Sequence, residues 1–156
     1  MPIRITNSQS KVSGEILACD YSTSSSTQTI GTIFTQVDTL QIDFEADRTG
    51  DIKIVFNGFL EGTVLNTTGC TIDMRLTNNL NQYISGTQIT VHKFIDPDGS
   101  ATDVDGMYIT AVWIMSVTDG TTYRIRPQIR RGSTSNTYIV RLGGTYSPAM
   151  ITAIGL

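Results

Sequence analysis

The sequence is poor in charge, histidine and cysteine, and it lacks any long hydrophobic run. Charged residues make up 16% of its 156 residues and the net charge is −3, which argues against a general binder of polyanions and predicts no nucleic-acid partner. No apolar stretch approaches the roughly 20 residues of a membrane helix, and the opening "MPIRITNSQS" has no hydrophobic signal core. We therefore expect one domain, made without a secretory leader and without a membrane partner.

Catalytic motifs are also missing. The single histidine, His92, lies in "TVHKF", which is consistent with an ordinary strand residue. There is no nucleophile elbow, no zinc-protease motif and no phosphate-binding glycine loop. Paired carboxylates on separate strands would escape such a search, but the sequence favours a protein that is not an enzyme and needs no cofactor.

The two cysteines, Cys19 and Cys70, have neither the spacing nor the neighbours of a metal site. Both stand beside apolar strand residues, where a buried free thiol is common. One disulfide between them is the alternative.

Alternation of apolar and polar residues is the dominant pattern that is present. In "TLQIDFEA" the apolar residues Leu40, Ile42, Phe44 and Ala46 alternate with polar ones, as in a strand with one wet face. Similar segments recur along the chain, separated by turn signals such as Asp119-Gly120, while helical periodicity is almost absent. About ten short strands are expected, in an antiparallel sandwich or jelly roll. Asn57-Gly58 is expected to interrupt one of them as a bulge or turn.

Two segments, 107–117 and 149–156, are apolar on both faces. A two-layer sandwich covers one face of each strand, so the other would remain open to water. Identical subunits in a closed ring are the expected cover, and loops such as 96–106 folding over the face are the alternative. The residues expected at the subunit interface are Tyr108, Trp113, Met150, Ile154 and Leu156.

Arginines cluster in "YRIRPQIRR", where Arg124, Arg126 and Arg130 share one face of a strand with Gln128. One interpretation is a solvated face that discourages edge pairing. The other is a basic stripe that binds acidic groups of a protein or a sugar. Pro127 cannot donate a ladder hydrogen bond, which favours an edge strand or a bulge.

The loop "DPDGSATDVDG" brings four carboxylates close together in the sequence. They belong to Asp96, Asp98, Asp103 and Asp105. Flexible Asp-rich loops can bind calcium, but the spacing departs from the EF-hand register. A solvated hairpin loop is the favoured interpretation, with a metal site as the weaker alternative.

The C-terminal part of the chain, "VTDGTTYRIRPQIRRGSTSNTYIVRLGGTYSPAMITAIGL", resembles the C-terminal half of C1q/TNF-like jelly-roll domains found in bacteriophage virion proteins. Those domains have a Gly-Thr-x-Tyr strand, an Arg/Pro/Gln strand, a glycine-rich turn, a Tyr-Ser-Pro step and an apolar last strand. The matching residues here are Gly120, Thr121, Tyr123, Arg126, Pro127, Gln128, Gly143, Gly144, Tyr146, Pro148 and 149–156. The earlier "LQIDFEADRTGDIKIVFNGFL" is similar to the opening of the family, so the likeness spans residues 36–156.

This resemblance implies a TNF/C1q-like homotrimer whose inner sheets meet around a threefold axis. The family includes capsid decoration proteins, head fibres and receptor-binding tips of tail fibres, so the fold does not choose among these functions. Because the chain has neither heptads nor a collagen-like repeat, we favour a capsid decoration (cement) protein on the capsid surface of the virion, with the major capsid protein as partner.

We divide the chain into an arm with the first short strands, 1–35, and a jelly-roll domain, 36–156. The residues expected to dock the arm on the capsid are Ile3, Ile5, Tyr21 and Ile30. One alternative function is a receptor-binding fibre tip whose loops at 96–105 and 78–83 contact host surface glycans. Another is a sugar-binding module of cellular origin.

Overall fold

The computed structural model describes residues 14–22, 27–63, 70–94, 104–132, 137–141 and 148–156. Eleven β-strands and no helix occur in these ranges, so the expectation of an all-β protein is confirmed. Nothing in the described ranges is a helix of the length and apolarity needed to cross a membrane. The strands are β1 Ile16–Tyr21, β2 Thr27–Ile30, β3 Thr35–Gln36, β4 Ile42–Glu45, β5 Gly50–Thr63, β6 Cys70–Thr77, β7 Ile89–Phe94, β8 Val104–Val117, β9 Thr122–Arg131, β10 Thr137–Arg141 and β11 Met150–Gly155.

The strands form two antiparallel sheets. In the first sheet the order is β1-β11-β5-β10-β2, and β8 pairs with the free side of β5 along its whole length. The other side of β5 is shared, because β11 pairs with residues 52–57 and β10 with residues 59–63. The second sheet has the order β3-β9-β6-β7, and β4 joins β9 beyond β3.

The core lies between the two sheets. Alternation along each strand turns every second side chain inward, so Ile54 and Phe56 of β5 face the space that Met74 of β6 and Ile129 of β9 also fill. All four of these side chains have 0% exposure. The alternating pattern in the sequence therefore identified the inward face of these strands correctly.

The expected interruption of β5 at Asn57-Gly58 is wrong. The strand continues through both residues, which pair with Thr110 and Ile109 of β8. A Cβ atom on Gly58 would lie 2.9 Å from Cζ of Phe56, so glycine leaves room for the buried ring of Phe56. Gly58 is therefore needed for packing and does not form a turn.

Pro127 lies in β9, which has neighbours on both sides, so the expected edge position or bulge is also wrong. On one side Pro127 is opposite Leu76 of β6. On the other side it lies between β3, which ends at Gln36, and β4, which begins at Ile42. The chain in this gap contributes one hydrogen bond, from the Val37 amide to the carbonyl of Pro127 at 2.9 Å. A proline is tolerated because the ladder on that side is broken.

The described part of segment 1–35 belongs to the sandwich. β1 pairs with β11, β2 with β10 and β3 with β9. Ile30 is 0% exposed, so its expected role in docking is wrong: the side chain fills the core. Tyr21 is 42% exposed at the end of β1, and Ile3 and Ile5 lie outside the described residues.

Cys19 is a free thiol on β1, in the first sheet. The alternative of a disulfide with Cys70 is therefore not realised. The Cys70 backbone begins β6 in the other sheet, and its side chain lies outside the described part.

Candidate binding surfaces

The outer surface of the first sheet carries an apolar surface, which we call the first-sheet face. The register between β5 and β8 places Val55 opposite Val112, Phe59 opposite Tyr108 and Lys53 opposite Ile114, all pointing away from the core. Residues on β11 and β1 extend this surface across the sheet. The large apolar side chains that are exposed here are Ile16 46%, Tyr21 42%, Tyr108 59%, Val112 48%, Ile114 55%, Met150 36% and Leu156 47%.

Four of the five expected interface residues lie on or beside the first-sheet face. Tyr108, Met150 and Leu156 are exposed there, and Ile154 is half-buried opposite Lys53. Trp113 does not belong to it: its side chain is 4% exposed and points into the core, where its Nε1 donates to the carbonyl of Thr87 at 2.5 Å. Because strand residues alternate, Trp113 and Tyr108 cannot share a face, and the expected interface set combined both faces of β8.

Four polar side chains of the first-sheet face are bonded to one another in two pairs. Thr110 donates to Asn57 at 2.7 Å across the β5–β8 pair, and Ser116 donates to Asp51 at 2.7 Å near the end of the same pair. Their hydrogen bonds are made within the subunit. Covering this surface therefore demands fewer new polar partners than an unpaired polar surface would.

The outer surface of the second sheet is polar and carries four arginines, which together with Gln128 and the rings of Phe34 and Tyr83 we call the arginine face. Arg124, Arg126 and Arg130 project from β9, and Arg75 projects from β6 opposite Gln128. The prediction that the arginines lie on the outer side of a strand is confirmed. Arg75 was not among the candidate residues, because its place beside β9 depends on a strand pairing that the sequence pattern does not reveal.

The two end positions of the arginine face are neutralised by carboxylates. Arg124 donates from Nε to Asp43 at 2.6 Å, and the hydrogen bond and charge of Asp43 raise the pKa of the Arg124 guanidinium. Arg130 donates from Nε and Nη2 to Asp73, at 3.2 and 3.1 Å. Asp73 is itself fixed by a hydrogen bond from Thr90 at 2.8 Å.

The two middle arginines bind neutral amide oxygens instead. Arg75 donates from Nε to Oε1 of Gln128 at 2.8 Å. Arg126 donates from Nε to Gln41 at 3.2 Å and from Nη1 to Asn81 at 2.6 Å. Amide oxygens hold a guanidinium in place without cancelling its charge, so the centre of this surface is positive.

An aromatic ring lies among these arginines, which the sequence did not indicate. Phe34, from the segment before β3, has Arg75 Cζ at 4.1 Å and Arg130 Cζ at 4.4 Å from its ring centroid. Arg75 also lies 5.3 Å from the ring centroid of Tyr83. Both rings come from parts of the chain outside β9, so the sequence of β9 alone gives no sign of them.

Tyr83 belongs to a turn that internal hydrogen bonds hold in shape. Its hydroxyl accepts from the amides of Gly86 and Gln88, at 3.1 and 3.3 Å. Asn78 Oδ1 accepts from the amides of Leu80 and Gln82, at 2.9 and 3.0 Å. The turn thus presents a ring that is part of a 43% exposed residue in a defined position.

The acidic loop lies largely outside the described residues. Asp96, Asp98 and Asp103 fall there, and of Asp105 the structure describes the backbone in β8 alone. Among the side chains that are described, no three from His, Cys, Asp and Glu come together as a potential metal site.

Comparisons with known proteins identify the fold. No protein-family model matches the chain, and no curated protein matches it. Among solved structures, the Eiger TNF of S. frugiperda has a TM-score of 0.52 at 10% identity, covering 90% of this chain and 92% of that chain. A family 35 carbohydrate-binding module of Clostridium thermocellum has a TM-score of 0.35 at 11% identity, covering 89% and 99%.

At this level of identity, the likeness to the TNF structure concerns the fold. It agrees with the two antiparallel sheets and with the TNF/C1q-like resemblance in residues 36–156. The chain is an all-β, TNF-like jelly roll.

Proposed function

We propose that this protein is a structural component of a bacteriophage virion: a capsid decoration protein that assembles as a homotrimer, binds the major capsid protein and stabilises the head. The observation that carries the proposal is the first-sheet face. In this proposal the protein acts by binding to copies of itself and to the capsid, and no covalent step is involved.

The apolar surface favours self-association. Soluble monomers rarely expose contiguous apolar patches above a few hundred Å², yet Tyr108, Val112 and Ile114 all lie on the outside of β8 with about half of each residue exposed to water, interrupted only by Thr110. Burial of such a surface stabilises a complex by roughly 25 cal/mol per Å² before the entropy of association is subtracted.

An identical subunit is the proposed cover. Closed symmetric rings are the common form of homo-oligomers, and the trimer follows from the resemblance of the C-terminal segment to trimeric virion jelly rolls. In such a trimer the first-sheet faces meet around the axis. The arginine face belongs to the other sheet and stays on the outside.

The trimer is tested by the mass of the protein in solution. We expect three times the chain mass of 17.0 kDa at micromolar concentration. Ile114→Glu places a charge in the apolar surface and should give a monomer that keeps its β-sheet circular dichroism. Leu80→Glu makes the same kind of change at a residue of 68% exposure on the second sheet's turn, and it should remain a trimer. A monomeric wild type, or a trimeric Ile114→Glu variant, contradicts the trimer.

The location is tested by binding to particles and to cells. The purified protein is mixed with phage heads that lack it, and separately with host cells, and the fraction that pellets with each is measured. We expect capture by the bare heads, and greater resistance of these heads to heat after binding. Capture by cells alone contradicts decoration and favours the alternative, a receptor-binding fibre tip.

A further inference from the structure

We infer that the centre of the arginine face is a binding site for a carboxylate-bearing sugar, such as a uronic acid residue of an acidic polysaccharide. The guanidinium groups of Arg75 and Arg126 bind the carboxylate, and Gln128, Asn81 and Tyr83 contact the rest of the sugar. The inference does not depend on where the protein sits in a virion, because it concerns a surface of the single subunit.

Uncompensated charge is the first reason. Asp43 and Asp73 offset the outer arginines, whereas Arg75 and Arg126 contact amide oxygens. The carboxylate residue Glu45, at the end of β4, pairs with Thr122 and so lies farther along β9 from Arg126 than Arg124 does. Two positive charges thus remain at neighbouring positions of one sheet, in a chain whose net charge is −3. An anionic ligand would supply the partner that these charges lack.

The second reason is that Arg75 and Arg126 have N–H groups left for a ligand. Arg75 uses Nε for Gln128, and its two Nη groups have no acceptor within the described part of the chain. Arg126 uses Nε and Nη1, and its Nη2 likewise lacks a described acceptor. Arg75 pairs with Gln128 in the β6–β9 ladder, and Arg126 pairs with Thr77. Arg75 and Arg126 are therefore diagonal neighbours on the same face of the sheet. Side chains as long as these reach a common ligand at such a spacing, and the planar donor pairs of arginine match the two oxygens of a carboxylate.

The fixed position of these groups is the third reason. The Arg75 guanidinium packs on the Phe34 ring and near the Tyr83 ring, and the turn that carries Tyr83 and Asn81 is held by four backbone-to-side-chain hydrogen bonds. Groups that are already ordered lose less conformational entropy when a ligand binds.

The surroundings favour a sugar over an acidic peptide. The side-chain amides of Gln128 and Asn81 both donate and accept hydrogen bonds, as sugar hydroxyls do. The partly exposed ring of Tyr83 offers a flat apolar surface on which the C–H groups of a pyranose can pack. A run of acidic residues would instead need several unpaired cations along its length, and at both ends of this surface the arginines are already paired.

The test uses oligogalacturonate of three to four sugar units, titrated into the purified protein by calorimetry. The matched neutral probe is the methyl ester of the same oligomer. We expect binding of the acid form and at least tenfold weaker binding of the ester, since loss of a charge-assisted pair weakens affinity by about tenfold or more. Arg75→Gln and Arg126→Gln should each weaken binding of the acid form by about tenfold.

A charge-matched control separates the site from general electrostatics. Arg48→Gln removes the same charge from the loop after β4, where Arg48 donates to the Leu156 main-chain oxygen at 2.9 Å, and it should bind oligogalacturonate within twofold of the wild type. Equal affinity for acid and ester, or undiminished binding by the double variant Arg75→Gln/Arg126→Gln, overturns the inference. Tighter binding of a poly-glutamate peptide than of oligogalacturonate also overturns it, in favour of an acidic protein partner.

A measurement on the wild type covers the case in which a variant does not fold. In nuclear magnetic resonance spectra, oligogalacturonate should shift the Nε–Hε signals of Arg75 and Arg126 and the ring signals of Tyr83. Shifts confined to residues of the first sheet overturn the inference. Because these tests use the isolated protein, a failure to bind phage heads would leave the sugar site standing, and the reverse also holds.

Discussion

Single side chains decide how well polar groups are satisfied inside this sandwich. Trp113 is the clearest case, because its ring fills the core while its Nε1 donates to the carbonyl of Thr87, a residue with 4% exposure. Thr87 in turn uses its hydroxyl to accept from the amide of Leu76 at 3.0 Å and to donate to the carbonyl of Ile84 at 2.7 Å. The tryptophan therefore ties β8 of the first sheet to the segment between β6 and β7 of the second.

Trp113→Phe should lower the free energy of unfolding by about 1–3 kcal/mol, because the buried carbonyl of Thr87 loses its donor and the smaller ring leaves a gap. Urea unfolding followed by circular dichroism measures this. Tyr123→Phe is the control, since its hydroxyl accepts from the amide of Thr118 at an exposed position, and its effect should stay below about 0.5 kcal/mol. Equal effects of the two substitutions would show that the Trp113 hydrogen bond contributes little.

Arg131, at the end of β9, has two buried donors without such a partner in the described part of the chain. Its Nε and Nη1 atoms are inaccessible to water and meet no hydrogen-bond partner there, so these two donors are desolvated without a compensating bond. Arg131→Met keeps most of the side-chain length but removes the donors. We expect this change to raise the free energy of unfolding by about 1 kcal/mol. Arg48→Met, which loses a hydrogen bond to the Leu156 main-chain oxygen, should not stabilise the protein. A clear loss of stability in Arg131→Met would mean that the buried guanidinium is satisfied in solution.

At the scale of strands, β5 is the central element of the first sheet, with partners along both sides over its length. Gly58 allows this strand to pass over the Phe56 ring without interruption. Gly58→Ala should lower the free energy of unfolding by about 1–3 kcal/mol, since a Cβ at 2.9 Å from a fully buried ring forces a shift. Gly50→Ala, at the start of the same strand with nothing within 4 Å of the added carbon, should be close to neutral. If both variants unfold at the same urea concentration, Gly58 has no packing role.

The alternating pattern predicted the strands well, because side-chain direction along a strand is a local property. It placed Ile42, Ile54 and Met74 on inward faces, as the structure has them. It could not decide between faces that are both apolar, which is why Trp113 was grouped with Tyr108. The inward face of β8 is determined by its pairing with β5, more than 40 residues away in sequence.

Contacts between distant segments were beyond the reach of the sequence pattern. Phe34 meets Arg75 and Arg130 because β3, β9 and β6 are neighbours in the second sheet. The arginines of β9 were visible as a stripe, yet their partners, and hence which of them keep an uncompensated charge, depend on that order of strands. The pattern of residues therefore indicated a basic stripe containing Arg126, whereas the part that Arg75 plays in the candidate sugar site could be found only in the structure.

At the scale of the whole molecule, the two outer surfaces differ in kind. The first-sheet face is largely apolar and has two polar pairs bonded internally, while the arginine face is charged and carries rings in cation–π contact with its arginines. Since the surfaces belong to opposite sheets, the proposed trimer leaves its three arginine faces free. Three copies of a weak sugar site on one particle would bind a polysaccharide more tightly than one copy does, through the high effective concentration of the second and third sites.

The proposed assembly also predicts how thermal stability depends on concentration. If folding and trimer formation are coupled, mass action raises Tm with protein concentration. With about 0.7 kcal/mol of unfolding enthalpy per residue, the rise for three such chains is on the order of 3 °C for each tenfold increase. Differential scanning calorimetry over a hundredfold range measures it. Ile114→Glu should have a lower Tm that does not change with concentration, because its apolar surface no longer joins copies of the chain. A wild-type Tm that stays constant over this range would mean that the first-sheet face is not stabilised by self-association.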